Sequence, residues 1–519
     1  MLKVDAQDKE KLIDPLFARP GKALILTVAG LLLVIGWGVF MYVRQLFFGL
    51  GETNMTRPAY WATYIVNFVF FIGISHAGTL ISAILRVTGA EWRRPITRVA
   101  EAITVFALAI GMMQILIDLG RPDRLLFPIL YGRLQSPIIW DFISVTVYFL
   151  GSVTYLFLPL MPDLAIIRDN MPATAMLWQQ KLYTILSLGW RGTREQWMRL
   201  EKAIAAMAVF IIPVAVSVHS IISWILASTL QPGWHSTIFG PYFVVGAIFS
   251  GIGALFIAMT AVRKAYGLEN YILQKQYRNL GLLFITMNAI WFYFTFAENL
   301  GIATGQQTYE FPVLAAKLWG DFALPFWLMI GIMAIAFWVL VVPLLIPKSA
   351  ERVAIFRPRF SLGSAVGAAL ILVLIFFALP VMPIRAGLDM PTDETVLWIL
   401  LILEIIGVLL GVTLWLKANP VAAKFIAAIL VVIGMWLERW NIVVGTTTHA
   451  MLIPYISYLP SLTEIAVTAA SVSLFALMFI LFFRIFPSIS IWEVAEGRLK
   501  QESHAAQTAP TTAPASEMR

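Results

Sequence analysis

Ile117-Asp-Leu-Gly-Arg-Pro-Asp-Arg124 and, a short way on, Ser136-Pro-Ile-Ile-Trp-Asp-Phe142 decide the fold of this chain. An apolar run over 96–117 delivers Asp118 to its end, and Gly120-Arg-Pro turns the chain. Ser136-Pro137 then opens a second apolar run that carries Asp141. Two carboxylates and three arginines (Arg121, Arg124, Arg133) thus collect where two membrane helices meet water. The arrangement returns later: Glu298-Asn-Leu-Gly301 ends one apolar run, and Trp319-Gly-Asp321-Phe322 opens the next. Asp118 to Asp141 and Glu298 to Asp321 are both steps of 23 residues, offset by 180, which reads as an internal duplication. A doubled acidic rim on one membrane surface is the feature to explain.

Composition sets the class. The 519 residues are 60% hydrophobic and 13% charged, about half the charge of a soluble domain. The 18 Trp and 15 Tyr suit interfacial aromatic belts. A net charge of +8 is no nucleic-acid signal, because its placement matters more than its sum. Cysteine is absent, which removes thiolate-held Fe–S clusters, c-type haem, disulfides and thiol nucleophiles from this chain. An electron-transfer role would therefore borrow its metal centres from a partner. The polar first twenty residues and the long run 23–43 read as an anchor rather than a cleaved signal.

A membrane span needs about 20 apolar residues. Candidates lie at 23–48, 59–86, 96–118, 137–160, 203–230, 238–263, 278–300, 320–347, 361–383, 395–416, 421–444 and 462–486. The expectation is an all-α integral membrane protein of about 12 (10–12) transmembrane helices. Alternate connecting segments hold all of the 37 Lys and Arg except Arg44, Arg57, Arg121, Arg124, Arg133, Lys317, Arg385 and Arg439. That bias places both termini in the cytoplasm and the acidic rims outside. Two repeats entering from the same side have parallel topology. Expected units are 1–58 (N-terminus and first helix), 59–237 (first repeat), 238–460 (second repeat with an inserted hairpin at 348–418), 461–490 (last helix) and 491–519 (disordered cytoplasmic tail). The mixed loop 161–201 predicts short interfacial helices.

An ionisable group inside a span is costly and is a functional candidate by default. His76 lies 16 residues after Tyr60, roughly 24 Å along its helix from the rim surface. His219 lies 11 residues before Leu230, roughly 16 Å from the same surface. The inferred difference in depth, roughly 8 Å, argues against their sharing one haem. The plain alternative for each is a histidine bonded to a neighbouring helix for packing. Glu101 and Glu404 lie within spans and suit a proton path. Asp118, at a helix C-terminus, needs Arg121 or another cation near it. Asp321 and Glu464 read as solvated, helix-starting carboxylates. Glu438 and Arg439 are adjacent, so they leave a helix in different directions, each toward another helix. His235 sits between aromatics in Gln231-Pro-Gly-Trp-His-Ser, with no second ligand nearby, so no metal site is expected. The Gly246–Gly253 run reads as helix packing rather than a nucleotide loop. Aromatics, a histidine and acids at an outer pocket suit a flat ring bearing hydroxyls, whose protons leave with its electrons.

At these residues the chain resembles the NrfD/PsrC family of quinone-interacting membrane subunits, and within it the large NrfD-like subunit of bacterial alternative complex III. The resemblance rests on Asn67-Phe-Val-Phe-Phe-Ile-Gly-Ile-Ser-His-Ala-Gly-Thr, Glu91-Trp-Arg-Arg-Pro, Asp118-Leu-Gly-Arg-Pro, Ser136-Pro-Ile-Ile-Trp-Asp, Val218-His-Ser-Ile-Ile-Ser-Trp, Pro232-Gly-Trp-His-Ser-Thr-Ile-Phe, Leu437-Glu-Arg-Trp and Ile491-Trp-Glu. It implies two four-helix bundles with flanking helices, in a bacterial inner membrane. It implies oxidation of a quinol, often menaquinol, at the outer face of the first bundle, with Asp118, Asp141 and His219 as catalytic groups. His235, Arg121, Trp140 and Trp234 would bind the substrate. His76 and Glu101 would form an inward proton path, and Glu298, Asp321, Glu438 and Arg439 its counterpart in the second bundle. Implied partners are an extrinsic Fe–S subunit, multihaem and monohaem cytochrome c subunits and a second NrfD-like membrane subunit; neither haem nor metal is expected in this chain. The competing reading is a secondary transporter or ion translocator, which parallel repeats and buried acids also fit.

Overall fold

A computed structural model describes residues 5–345, 411–451 and 454–498. Among them, ten helices are long and apolar enough to cross a membrane, and the chain is a multi-pass, all-helical integral membrane protein. They are α1 (Lys22–Phe48), α2 (Thr63–Val87), α3 (Arg94–Asp118), α4 (Pro137–Asn170), α6 (Arg194–Ala227), α7 (Phe239–Ala265), α8 (Gln274–Gly305), α10 (Ala323–Leu345), α11 (Pro420–Thr447) and α12 (Leu462–Ile485). The short helices outside the spans include α5 (Leu177–Leu186) and α9 (Phe311–Leu318). The expected span at 421–444 is a full one. The expected spans at 361–383 and, but for its last residues, 395–416 lie outside the described residues, as does most of the inserted hairpin.

Local chemistry sets the ends. Pro95 and Pro137 sit in the first turns of α3 and α4, where no backbone donor is lost. Thr193 caps α6 reciprocally with Gln196, and Ser461 caps α12 with Glu464. After α3, Gly120 turns the chain at φ +63°, a region that only glycine enters without strain. Its missing side chain leaves room for Leu50.

Helices α2, α3, α4 and α6 pack as one four-helix bundle, and α7, α8, α10 and α11 as a second. The seam between them is α2 against α7 and α11. Helices α1 and α12 pair along the outside of the first bundle, against α3 and α2. Most of α1 faces away from the protein, with Leu26, Leu33 and Phe47 exposed, as suits a helix in lipid.

Two expectations change. Residues 161–170 continue α4 rather than opening a loop, and bury Asp163 against Arg98 at 2.8 Å. The interfacial helix of that stretch is α5 alone. Residues 491–498 are not part of a disordered tail. They form a helical segment whose Trp492 and Glu493 are buried at the Lys- and Arg-rich end of the first bundle. Glu493 pairs with Arg86 (3.2 Å) and Arg93 (3.5 Å), while Trp492 N–H donates to Asp163 (3.0 Å). Arg498 reaches Asp8 (2.9 Å), so the first and last described segments meet.

Candidate functional site

His76 on α2 and His219 on α6 touch, with ring centroids 3.9 Å apart. The depth difference inferred from helix rise is therefore wrong. That count took the two helix ends as one plane, and packing sets them at different heights. The depth argument about a shared haem therefore no longer holds. The ring nitrogens of His76 face Ala215 O at 2.5 Å and Ile72 O at 2.9 Å. A neutral imidazole donates to only one of these carbonyls, a protonated one to both. His219 is fully buried, yet neither of its nitrogens has a hydrogen-bond partner.

From His76 a column of polar groups follows the α2–α3 seam toward the basic end. Tyr148 lies against the His76 ring at 5.2 Å and donates to Ser75 O, as does Thr104. One turn of α3 further on, Glu101 accepts from Ser82 at 3.0 Å. Its second oxygen is buried without a partner. Tyr155 lies 3.4 Å from the same serine. Arg98 and Glu493 are within electrostatic range, so the column ends beneath the C-terminal segment.

At the rim end of this bundle, Asp118 and Asp141 each keep one buried carboxylate oxygen with no partner. Arg121 is not the counter-ion of Asp118. The Gly120 turn carries it into solvent, where it forms an exposed bidentate pair with Asp123. The charged neighbour of Asp118 is another acid, Glu464, and both act on the Tyr64 hydroxyl. Glu464 caps α12 as expected but is not solvated: it is fully buried, accepting from Tyr458 and from Asn54 N–H (3.1 Å). Trp140 is exposed, its indole donating to Leu134 O.

Trp234 and His235 belong to the other bundle. Trp234 is buried, donates to Ile442 O at 3.0 Å on α11, and stacks on Trp61. His235 is exposed, bonded to Thr229 O (3.0 Å) and 3.7 Å from Glu310.

The second bundle carries its charges in pairs. Glu438 and Arg439 are both buried and lie 2.6 Å apart. Their directions do diverge, as expected. Glu438 accepts from Trp291 on α8 (2.7 Å) and is bonded to Tyr242 on α7. Arg439 lies over the Phe243 ring at 4.8 Å, and its guanidinium nitrogens lack well-aligned acceptors. Gly246 makes room for it: a Cβ there would stand 2.7 Å from the guanidinium. That glycine serves the arginine as well as helix packing. Nearer the rim, Glu298 accepts from Ser236, and Asp321 accepts from the Tyr455 hydroxyl. Lys317 on α9 lies with Glu298 and Glu438 around a cavity of about 30 Å³. Burial pulls the Lys317 ammonium below the ordinary lysine range, while Glu298 holds it up. Glu404 lies outside the described residues.

The family model for polysulphide reductase, NrfD, matches residues 51–376. The chain belongs to the NrfD family. NrfD relatives include the putative membrane C subunit of a dimethyl sulfoxide reductase from Halobacterium salinarum, 32% identical over 45% of this chain and 50% of its own length. Another is the C subunit of selenate reductase from Mesobacillus selenatarsenatis, 26% identical over 44% of this chain and 54% of its own. A third, an Hdr-like menaquinol oxidoreductase integral membrane subunit of Archaeoglobus fulgidus, is 23% identical over 54% of this chain and 60% of its own. The chain thus spans about half the length of these relatives. Tyr64, Trp291, Tyr242 and Lys317 stand beside the candidate groups and were not singled out from the sequence, and Glu464 was read there only as a solvated cap. For Lys317 a signal existed, since it is the only lysine among the eight rim-side cations.

Proposed function

We propose that this chain is the membrane subunit of a quinol-oxidising respiratory or photosynthetic complex of the alternative complex III kind, in a bacterial inner membrane with both termini cytoplasmic. It binds a quinol, with menaquinol the first substrate to try, at the rim end of the first bundle. The observation that carries this reading is the set of buried polar atoms left without partners among the described residues of the first bundle: one oxygen each of Asp118 and Asp141 at the rim end, and the two ring nitrogens of His219, one acceptor and one donor when neutral, further in. A buried polar atom without a partner costs about 1–3 kcal/mol, and such a set persists where a ligand supplies the missing bonds. A quinol offers two hydroxyl donors on an apolar ring. On oxidation both O–H bonds break; the two protons pass to the carboxylates and the histidine pair, and two electrons pass to an Fe–S partner at the rim. Cytochrome c subunits then take the electrons onward, and the membrane part is completed by a second NrfD-like protein. His76, the Ser75/Thr104 turn and Glu101 link this end to the basic side, and the Glu438–Arg439 pair with Glu298 forms the second bundle's counterpart. The paired arrangement supports proton translocation.

The test is purification of the complex by a tag on this chain. Fe–S and haem c subunits should accompany it, and Asp118→Asn, Asp141→Asn and His219→Ala should each cut menaquinol oxidation at least about 100-fold while assembly persists. Normal turnover in Asp118→Asn and His219→Ala together defeats the assignment, and an active chain without redox partners points to transport instead.

A further inference from the structure

The small cavity in the second bundle has a lining that the reaction at the first bundle leaves unexplained. Asn441 Oδ1 and Thr446 Oγ1 belong to buried residues on α11, border the cavity, and have no hydrogen-bond partner. Glu438 reaches the same space, and its Oε2 lacks an aligned donor although Arg439 stands 2.6 Å away. Three acceptors facing one void of about 30 Å³ match about two water molecules, each with polar partners. The charges around the void also balance. Glu298 and Glu438 are two negative groups, Lys317 and Arg439 two positive ones, so a metal cation would add an uncompensated charge in a low-dielectric site. Neutral water is the occupant that leaves the set at zero.

We propose that the second bundle holds a buried water cluster between Asn441, Thr446 and Glu438, and that Lys317 is the group through which a proton leaves it toward the rim side. When Glu438 gains a proton from the interior, the set carries one excess positive charge. The Lys317 Nζ–H bond then breaks, and the proton passes to rim-side water by way of Glu298. The neutral amine takes up the proton of the Glu438 carboxyl through the cavity waters, and the starting charges return. No electrons move in this step. Arg439, packed against Phe243 and Gly246, stays protonated throughout. Lys317 and Glu298 both line the cavity, and a buried lysine shifts its pKa readily enough to give up and regain a proton.

The proton role rests on the translocation reading above, whereas the water site does not, and two measurements separate them. The first is radiolytic labelling of the intact purified complex in ¹⁸O water. Met329 lines the cavity and is 2% exposed, while Met333 on the same helix is 0% exposed and packs against Gly434. Several-fold stronger labelling of Met329 than of Met333 is expected, and equal labelling overturns the water site. The second is proton release from the complex in vesicles. Lys317→Met should bring the protons released per quinol down to the two that the quinol itself supplies, with electron transfer retained, and Lys317→Arg should not restore the wild-type value. Unchanged release in Lys317→Met overturns the role of Lys317. A wild-type complex that releases only two protons per quinol overturns that role too, along with the translocation reading, and leaves the water site standing on its labelling result.

Discussion

The two bundles share a plan and differ at the rim end in how their acids are satisfied. In the first, Asp118 and Asp141 each hold a partnerless oxygen, their nearest cation has gone to solvent, and the histidine pair below them includes a ring with no bonds at all. In the second, Glu298, Asp321 and Glu438 have a serine, a tyrosine and a tryptophan as donors, and Lys317 and Arg439 as countercharges. The four-helix unit occurs twice. Among the described residues, the acids at the rim end of the first unit lack a donor at one oxygen and have no cation beside them, whereas the acids of the second each have a donor at one oxygen, and Glu438 Oε2, Asn441 Oδ1 and Thr446 Oγ1 are left without one.

That contrast can be broken experimentally. The largest effect belongs to the open site: Asp118→Asn should cost at least about 100-fold in quinol oxidation yet leave the thermal unfolding of the complex unshifted, as followed by tryptophan fluorescence. Arg439→Met should show the opposite balance. Removing one member of a buried pair costs about 3–5 kcal/mol, so the melting temperature should fall, and Glu438→Gln combined with Arg439→Met should recover part of it. If Asp118→Asn destabilises as strongly as Arg439→Met, the two ends are built alike and the comparison fails. A smaller effect is expected at Lys317. Its folded-state pKa is lowered by burial, so between the folded and unfolded values the unfolded chain binds more protons, and stability rises with pH there. Wild type should therefore gain stability relative to Lys317→Met as pH climbs from the lowered folded-state value toward the ordinary lysine value, and a pH-independent difference between the two would show that burial does not shift Lys317. The smallest effect belongs to Arg121→Gln, which breaks only a solvent-exposed, salt-screened pair and should change neither the melting temperature nor turnover. A clear loss of quinol oxidation there would return Arg121 to Asp118.

Much of the fold was legible in the sequence because lipid imposes a length and a polarity on every span. The apolar runs at 96–118, 238–263 and 462–486 announce themselves, and the Asp118/Glu298 spacing suggests two similar units before any packing is known. The site was legible only in part. His76 and His219 stand out as ionisable groups in apolar runs, but their contact depends on the relative heights of α2 and α6, which helix rise cannot provide. Arg121 looked like the partner of Asp118 because it is three residues away, and a single glycine at φ +63° sends it elsewhere. Trp234 and His235 precede α7 in sequence, yet the Trp234 indole packs onto α11, a long-range contact that no local pattern encodes. Glu464 reads as a surface cap because capping boxes are usually wet; here Tyr458 and Asn54 close over it.

The clasp between Asp8, Arg498 and the Trp492–Glu493 segment has a consequence for biosynthesis. Arg86 and Arg93 emerge from the ribosome some four hundred residues before Glu493, the carboxylate that pairs with both. The first bundle must therefore wait, with these cations exposed at the membrane surface, until the last helix has been inserted. A premature stop a few dozen residues from the end would leave every span in place and still yield a chain that cellular quality control can recognise as unfinished.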